Sequence, residues 1–214
     1  MPQANGRHSL SLRFSIVFET VREDLRQARI GNQGGEQSTA ALIRELFNPG
    51  TQAILVHRFG VWTQGIRIPG VRHLLAAVHF LLAYIFGWRV GIYIPVRARI
   101  GPGFVIHTWC GGIVLPACPI GRHVVIIGGG IQFDYETQSV GDDCWIAPGT
   151  KFVGKIKIGN RVKTAPNSVI QTDVPDDSLA FGNPARIVAL RRWKLAPTGA
   201  PKSRAEPVAP SSPV

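Results

Sequence analysis

Acidic residues are scarce in this chain: 13 Asp and Glu stand against 24 Lys and Arg, and the four types together make up only 17% of 214 residues. So little charge beside 45% hydrophobic residues excludes a disordered polyelectrolyte, because the apolar content suffices to offset the entropy of ordering. The imbalance leaves a net charge of +11, which points to a polyanionic partner: nucleic acid, an anionic membrane surface or a phosphate-rich cofactor. No nucleic-acid-binding module accompanies the charge, so no nucleic-acid partner is expected. Part of the excess is tail charge at Arg191, Arg192, Lys194, Lys202 and Arg204.

Cysteine is also short. Cys110, Cys118 and Cys144 are odd in number and form no C-x-x-C pair, which excludes a disulfide framework and fits small buried thiols in a reducing compartment. A basic-then-apolar secretory leader is missing at the N-terminus, so a cytoplasmic location is expected. The greasiest run, residues 71–86, is shorter than the ~20 apolar residues that span a bilayer. Val71, Leu75, Val78, Leu82 and Ile85 recur there at helical spacing, and burial of that face against the rest of the protein is expected. Membrane-surface association through this run, flanked by Arg72 and Arg89, is the less favoured reading.

What is present is a rhythm. Ile94, Ile100, Ile106, Ile113, Ile120, Ile126, Val140, Ile146, Phe152, Ile158, Thr164 and Ile170 open units about six residues long. Gly101, Gly121, Gly141, Ala147, Gly159 and Ala165 follow directly behind their openers, and Cys110 and Cys144 fall in a second small-residue slot. Neither a helix nor an alternating strand has this period; a parallel β-helix does. Each opener points into a three-sided prism, and each coil buries its apolar edge by stacking on the next. Twelve openers suffice for about four coils. The gap between Ile126 and Val140 predicts a loop thrown out at 128–139.

Ahead of the repeat, 15–29 reads as an amphipathic helix with Val17, Val21 and Leu25 on one face and Glu19, Glu23 and Asp24 on others. Ser38 is a candidate N-cap for a short helix ended by Asn48-Pro49-Gly50, and Thr51 for the next helix. The expected layout is a flexible N-terminus over 1–14, an α-helical domain over 15–90, a β-helix over 91–190 and a largely disordered Pro/Ser/Ala-rich tail over 191–214.

Several segments resemble the serine acetyltransferases of the hexapeptide-repeat acyltransferase superfamily. ETVREDLRQ is similar to that family's opening helix, and FNPGTQAILVHRFGVW to a later helical segment. ARIGPGFVIH resembles the entry to its coils, and RVKTAPNSVI with DVPDDSLAFGNPARIV its exit. The resemblance implies a mainly β fold, a left-handed parallel β-helix with an N-terminal α-helical domain. It also implies a homotrimer or a dimer of trimers, and acetyl-CoA as co-substrate in clefts between neighbouring subunits, with no metal. By position, Gly128 and Gly129 match the loop along the pantetheine arm, and Ala165 a backbone contact. Lys163, Arg186 and Arg191 are candidates for the phosphates.

Acetyl transfer to a hydroxyl needs a base, donors for the oxyanion and an oriented acceptor. His107, in IHTWCGG, matches the family's catalytic segment and is the candidate base. His8, His57, His73, His79 and His123 read as surface or packing residues. Two departures stand out. Tyr93-Ile94-Pro95 replaces the family's acid before Ile-His-Pro, and Asp134 to Gln138 replace its Arg-His-Pro. Asp134 and Glu136 are therefore candidates for orienting His107 or binding acceptor hydroxyls. Acceptors left open are serine and a sugar or polysaccharide precursor. A non-catalytic scaffold and a zinc-dependent carbonic anhydrase are the alternatives; the latter needs three imidazoles and only His107 and His123 lie in the coils.

Overall fold

The computed structural model describes residues 6–33, 38–107 and 111–190. Four helices come first: α1 (Gly6–Gln33), α2 (Thr39–Leu46), α3 (Pro49–Thr63) and α4 (Pro69–Val90). Helix α1 begins nine residues before the expected start at Ser15, within the stretch read as flexible. Ser38 caps α2 as expected, its hydroxyl accepting from the Ala41 N–H at 3.1 Å. Thr51 does not cap α3. Asn48 does, accepting from the Gly50 N–H at 2.9 Å with Pro49 in the first turn, where proline loses no hydrogen bond. The Thr51 hydroxyl instead donates to the buried Glu45 carboxylate.

The repeat then winds as a column. β1 (Ile92–Tyr93), β2 (Arg99–Ile100) and β3 (Val105–His107) make the first coil, and β4 (Ile113–Val114), β5 (Pro119–Ile120) and β6 (Val125–Ile127) the second. β7 (Gln132–Phe133), β8 (Ser139–Val140) and β9 (Trp145–Ile146) form the third; β10 (Lys151–Phe152), β11 (Lys157–Ile158) and β12 (Lys163–Thr164) the fourth. β13 (Val169–Ile170) and β14 (Ser178–Phe181) begin a partial fifth, which β15 (Arg186–Ala189) ends by turning back antiparallel to β14. The strands stack in parallel into three faces: face A from β1, β4, β7, β10 and β13, face B from β2, β5, β8 and β11, and face C from β3, β6, β9, β12 and β14. This is the expected left-handed parallel β-helix with N-terminal helices.

No loop leaves the column at 128–139. The missing opener is Phe133, which sits in β7, is 3% exposed and stacks on Phe152 with ring centroids 4.2 Å apart. Ile126, Phe133 and Val140 are seven residues apart rather than six, so the extra residues are taken up at two corners. Ile100, Ile120 and Val140 accordingly stack twenty residues apart, whereas Val140 and Ile158 stack eighteen apart. Thr164 fills an opener slot with a polar side chain and is satisfied there: its hydroxyl oxygen accepts from the Ala147 N–H and meets the Thr150 hydroxyl, both at 2.9 Å.

The edge joining faces B and C is pinned. Asp142 Oδ1 accepts from the Arg122 N–H, Asn160 Oδ1 from the Asp142 N–H, and Asp176 Oδ1 from the Asn160 N–H, at 2.8, 2.9 and 2.8 Å. Beside this ladder runs a column of glycines. A Cβ on Gly141 would lie 2.5 Å from the Gly159 carbonyl oxygen, a backbone atom with nowhere to move. His123, Asp143, Arg161 and Asp177 hold left-handed backbone at the same edge.

The helices are bolted to the first coil by one ion pair. Arg58 donates to Asp24 through Nε and Nη2 at 2.9 and 3.3 Å, and to the Ile100 and Gly101 carbonyls at 2.6 and 2.7 Å. Asp24 also accepts from the Phe104 N–H at 3.0 Å. It was expected on the solvent side of α1, but it is buried, because a buried guanidinium needs a paired acceptor set. Helix α4 departs the other way. Leu75 and Leu82 are half-buried, yet Val71, Val78 and Ile85 of the expected core face are exposed.

Candidate active site

Four of the sequence-predicted site residues, His107, Gly128, Gly129 and Ala165, are gathered along the edge where face C turns into the next coil's face A. Ile106 points inward, so its neighbour His107 projects outward at the end of β3. His107 pairs in register with Ile127; one residue beyond the paired Ile126 and Ile146 comes Ala147, and beyond Thr164 comes Ala165. Gly128, one residue past Ile127, donates its N–H to the His107 carbonyl at 3.0 Å. Gly129 accepts from the Gly149 N–H at 2.9 Å. Gly128 has φ 69°, and a Cβ there would meet Pro148 Cγ at 2.8 Å, so glycine is required. The Ala165 N–H donates to the Ala180 carbonyl at 2.8 Å, while its carbonyl accepts from the Ser168 hydroxyl at 2.7 Å. The contact it can offer a ligand is the carbonyl's second lone pair. Lys163, two residues before Ala165 on face C, and Arg186, opposite Phe181, are exposed cations near the top of this edge.

Among the described residues, the lower end of the edge is roofed by helices. Gly50, at the start of α3, packs so closely that a Cβ would lie within 2.4 Å of the Ile106 carbonyl oxygen. Glu45, 1% exposed in the last turn of α2, is the carboxylate whose field reaches His107. Half-burial lowers the His107 pKa, and the Glu45 charge works against that shift. Sequence reasoning missed Glu45. Its only signal was an acid on the face of α2 that Ala41 also occupies, an i, i+4 pair that buries a charge.

Asp134 and Glu136 lie elsewhere, at the corner between faces A and B. Asp134 Oδ2 accepts from the Gly154 N–H at 2.9 Å and Oδ1 from the Glu136 N–H at 3.2 Å, holding two coils together. Those bonds, the Gly154 one first, lower its pKa. Glu136 is exposed. Neither acid shares an edge with His107 within one chain.

The other histidines have structural surroundings. His123 lies 3.4 Å from Glu23 and 3.3 Å from Asp143. His79 packs on Phe59 with ring centroids 6.5 Å apart. His57 is buried beside Pro95 and Ala98 with no well-formed hydrogen bond to either ring nitrogen, and burial lowers its pKa to about 4. His73 is exposed; the side chain of His8 lies outside the described residues. Cys118 and Cys144 are buried with pKa values raised to about 11 by desolvation, so neither supplies a thiolate. Cys110 and Arg191 lie outside the described residues. Among the described residues no three His, Cys, Asp or Glu side chains are grouped to hold a metal ion.

A hexapeptide column with an imidazole at the foot of one open edge defines a class, the hexapeptide-repeat acyltransferases. Residues 139–172 match the family described as bacterial transferase hexapeptide (six repeats). Within that class the chain belongs to the serine acetyltransferase family. It is 31% identical over 178 residues to the serine acetyltransferase of Synechococcus elongatus, covering 80% of this chain and 69% of that one. A soybean serine acetyltransferase complexed with serine is similar in structure, with a TM-score of 0.64 at 28% identity over 80% of this chain and 69% of that one. A serine acetyltransferase in complex with CoA has a TM-score of 0.67 at 22% identity, covering 85% and 73% of the two chains. The protein is thus an acyltransferase.

Proposed function

We propose that the protein transfers an acetyl group from acetyl-CoA to a hydroxyl, with serine or a sugar as acceptor, along the edge between faces C and A. One observation carries this reading: His107, Gly128, Gly129 and Ala165 follow one another up a single edge that ends beside Lys163 and Arg186. The small residues leave room for a narrow chain, and the cations suit a phosphorylated end. Bound acetyl-CoA supplies the acetyl group as a thioester. The chain's own part begins at His107. It is neutral at pH 7 because burial lowers its pKa, so its ring nitrogen takes the acceptor's hydroxyl proton as oxygen attacks the acetyl carbon. The proton then passes to the departing CoA thiolate. Glu45 faces the resulting imidazolium with a negative charge. No acyl-enzyme is needed, and both described cysteines are protonated.

Glu136 reaches this edge only from a neighbouring copy, which a homotrimer of side-by-side columns supplies; Asp134 then braces the corner that carries it. Replacement of the family's Arg-His-Pro by this corner favours a sugar hydroxyl as the second acceptor to test. The test is thiol release from acetyl-CoA against serine, homoserine and a panel of sugars. One acceptor should raise release well above the acceptor-free rate. Release that no acceptor stimulates overturns the reading.

A further inference from the structure

The apolar arc of α4 that no other element covers among the described residues, together with the distribution of acids along the chain, gives this protein a second surface. Val71, Leu74, Val78, Leu81 and Ile85 follow one another at three- and four-residue spacing on the open half of the helix, with Phe80 beside them. Leu74 is 66%, Phe80 73% and Leu81 56% exposed. An ordinary solvated helix carries charges on such a half; here the ionisable side chains among the described residues are His73 and the Tyr84 phenol, and Arg72 and Arg89 sit at its ends. From residue 46 to residue 133 there is no Asp or Glu at all, while seven arginines occur. Arg58 is engaged with Asp24 and Arg122 with Asp142. Arg67, Arg72, Arg89, Arg97 and Arg99 are exposed.

We infer that this face docks on an anionic lipid surface, α4 lying in the interface plane with its apolar arc among the acyl chains and its arginines at the phosphates. Charge decides between occupants. Pairing two copies through α4 would bring arginine ends together with no acid in the segment to neutralise them, whereas a phospholipid headgroup layer neutralises them. The helix has the length and composition to cross a bilayer over Pro69–Gly87. Its other side, however, packs on α3, which is tied through Arg58 and Asp24 to the first coil, so it lies along the membrane rather than through it.

The test is co-sedimentation of the full chain with vesicles of phosphatidylcholine alone and of phosphatidylcholine with about one-third phosphatidylglycerol, at low and high salt. The wild type should bind the anionic vesicles at least tenfold better than the neutral ones, and high salt should weaken that binding. L74Q/F80Q/L81Q should lower anionic-vesicle binding at least tenfold while acetyl-CoA turnover is kept, and R67Q/R72Q/R89Q should abolish the preference for anionic lipid. A wild type that stays in the supernatant overturns the inference, as does a glutamine triple variant that binds like wild type. It falls equally if that variant instead loses a self-association seen by sedimentation of the wild type without lipid.

Discussion

Two edges of the same column are built to opposite specifications. The edge between faces B and C is cross-linked from the second coil to the fifth by the Asp142, Asn160 and Asp176 ladder, and by Arg161, which donates to Asp177 at 2.7 Å from both Nε and Nη2. The edge between faces C and A is lined instead by His107, glycines and alanines, with backbone bonds and the Ser168 hydroxyl on the Ala165 carbonyl behind them. A stacked repeat lets these be separated, because each coil contacts its neighbours at all three edges and one pinned edge suffices to fix the register. The other can then stay open for chemistry.

Substitutions can break that contrast. The largest effect is expected for His107→Ala, which should lower kcat about 100-fold or more, the usual share of a general base, with the KM for acetyl-CoA and the melting temperature nearly unchanged. Wild-type turnover in that variant would remove His107 from the mechanism. Gly141→Ala should do the reverse. Its Cβ meets fixed backbone, so destabilisation of about 3 kcal/mol is expected, measured by denaturant unfolding, with activity per folded molecule retained. Lys163→Ala with Arg186→Ala should raise the KM for acetyl-CoA about tenfold, roughly 1.4 kcal/mol, with kcat kept; the effect should shrink in high salt. An unchanged KM would place the phosphates elsewhere.

The smallest effect sharpens the contrast instead of breaking it. Glu45→Gln keeps an acceptor for the Thr51 hydroxyl but removes the charge that opposes the fall in the His107 pKa. A histidine is a base only above its pKa, so the acid limb of kcat/KM should move to lower pH in the variant. A limb that stays in place would mean that Glu45 does not act on the titrating group.

The column was legible because inward openers obey a short fixed period, and a prism admits no other arrangement of them. Phe133 was missed although Ile113 carries the same seven-residue spacings on both sides, because the glycines at 128–130 and the polar stretch from Asp134 to Gln138 around it read as a loop. His107 and its edge companions could be read for the same reason: a residue's place in the repeat is also its place on the prism. Glu45 and Asp24 could not. Both are acids on amphipathic helices, where charge ordinarily marks the solvent side, and each is buried by a partner far away in sequence or by a neighbouring coil. The exposure of α4 was equally hidden, since an apolar helical stripe looks the same whatever covers it.

The backward turn of β15 has a consequence for solubility. A stack of parallel strands ends in a row of unpaired amides, which is a template for adding further strands from other molecules. On face C that row is met by Arg186 to Ala189 running the opposite way, so the last rung faces a strand of the wrong polarity for continued growth. Shortening the chain before Arg186 would bare that rung, and filamentous aggregates of otherwise well-formed columns are the expected product.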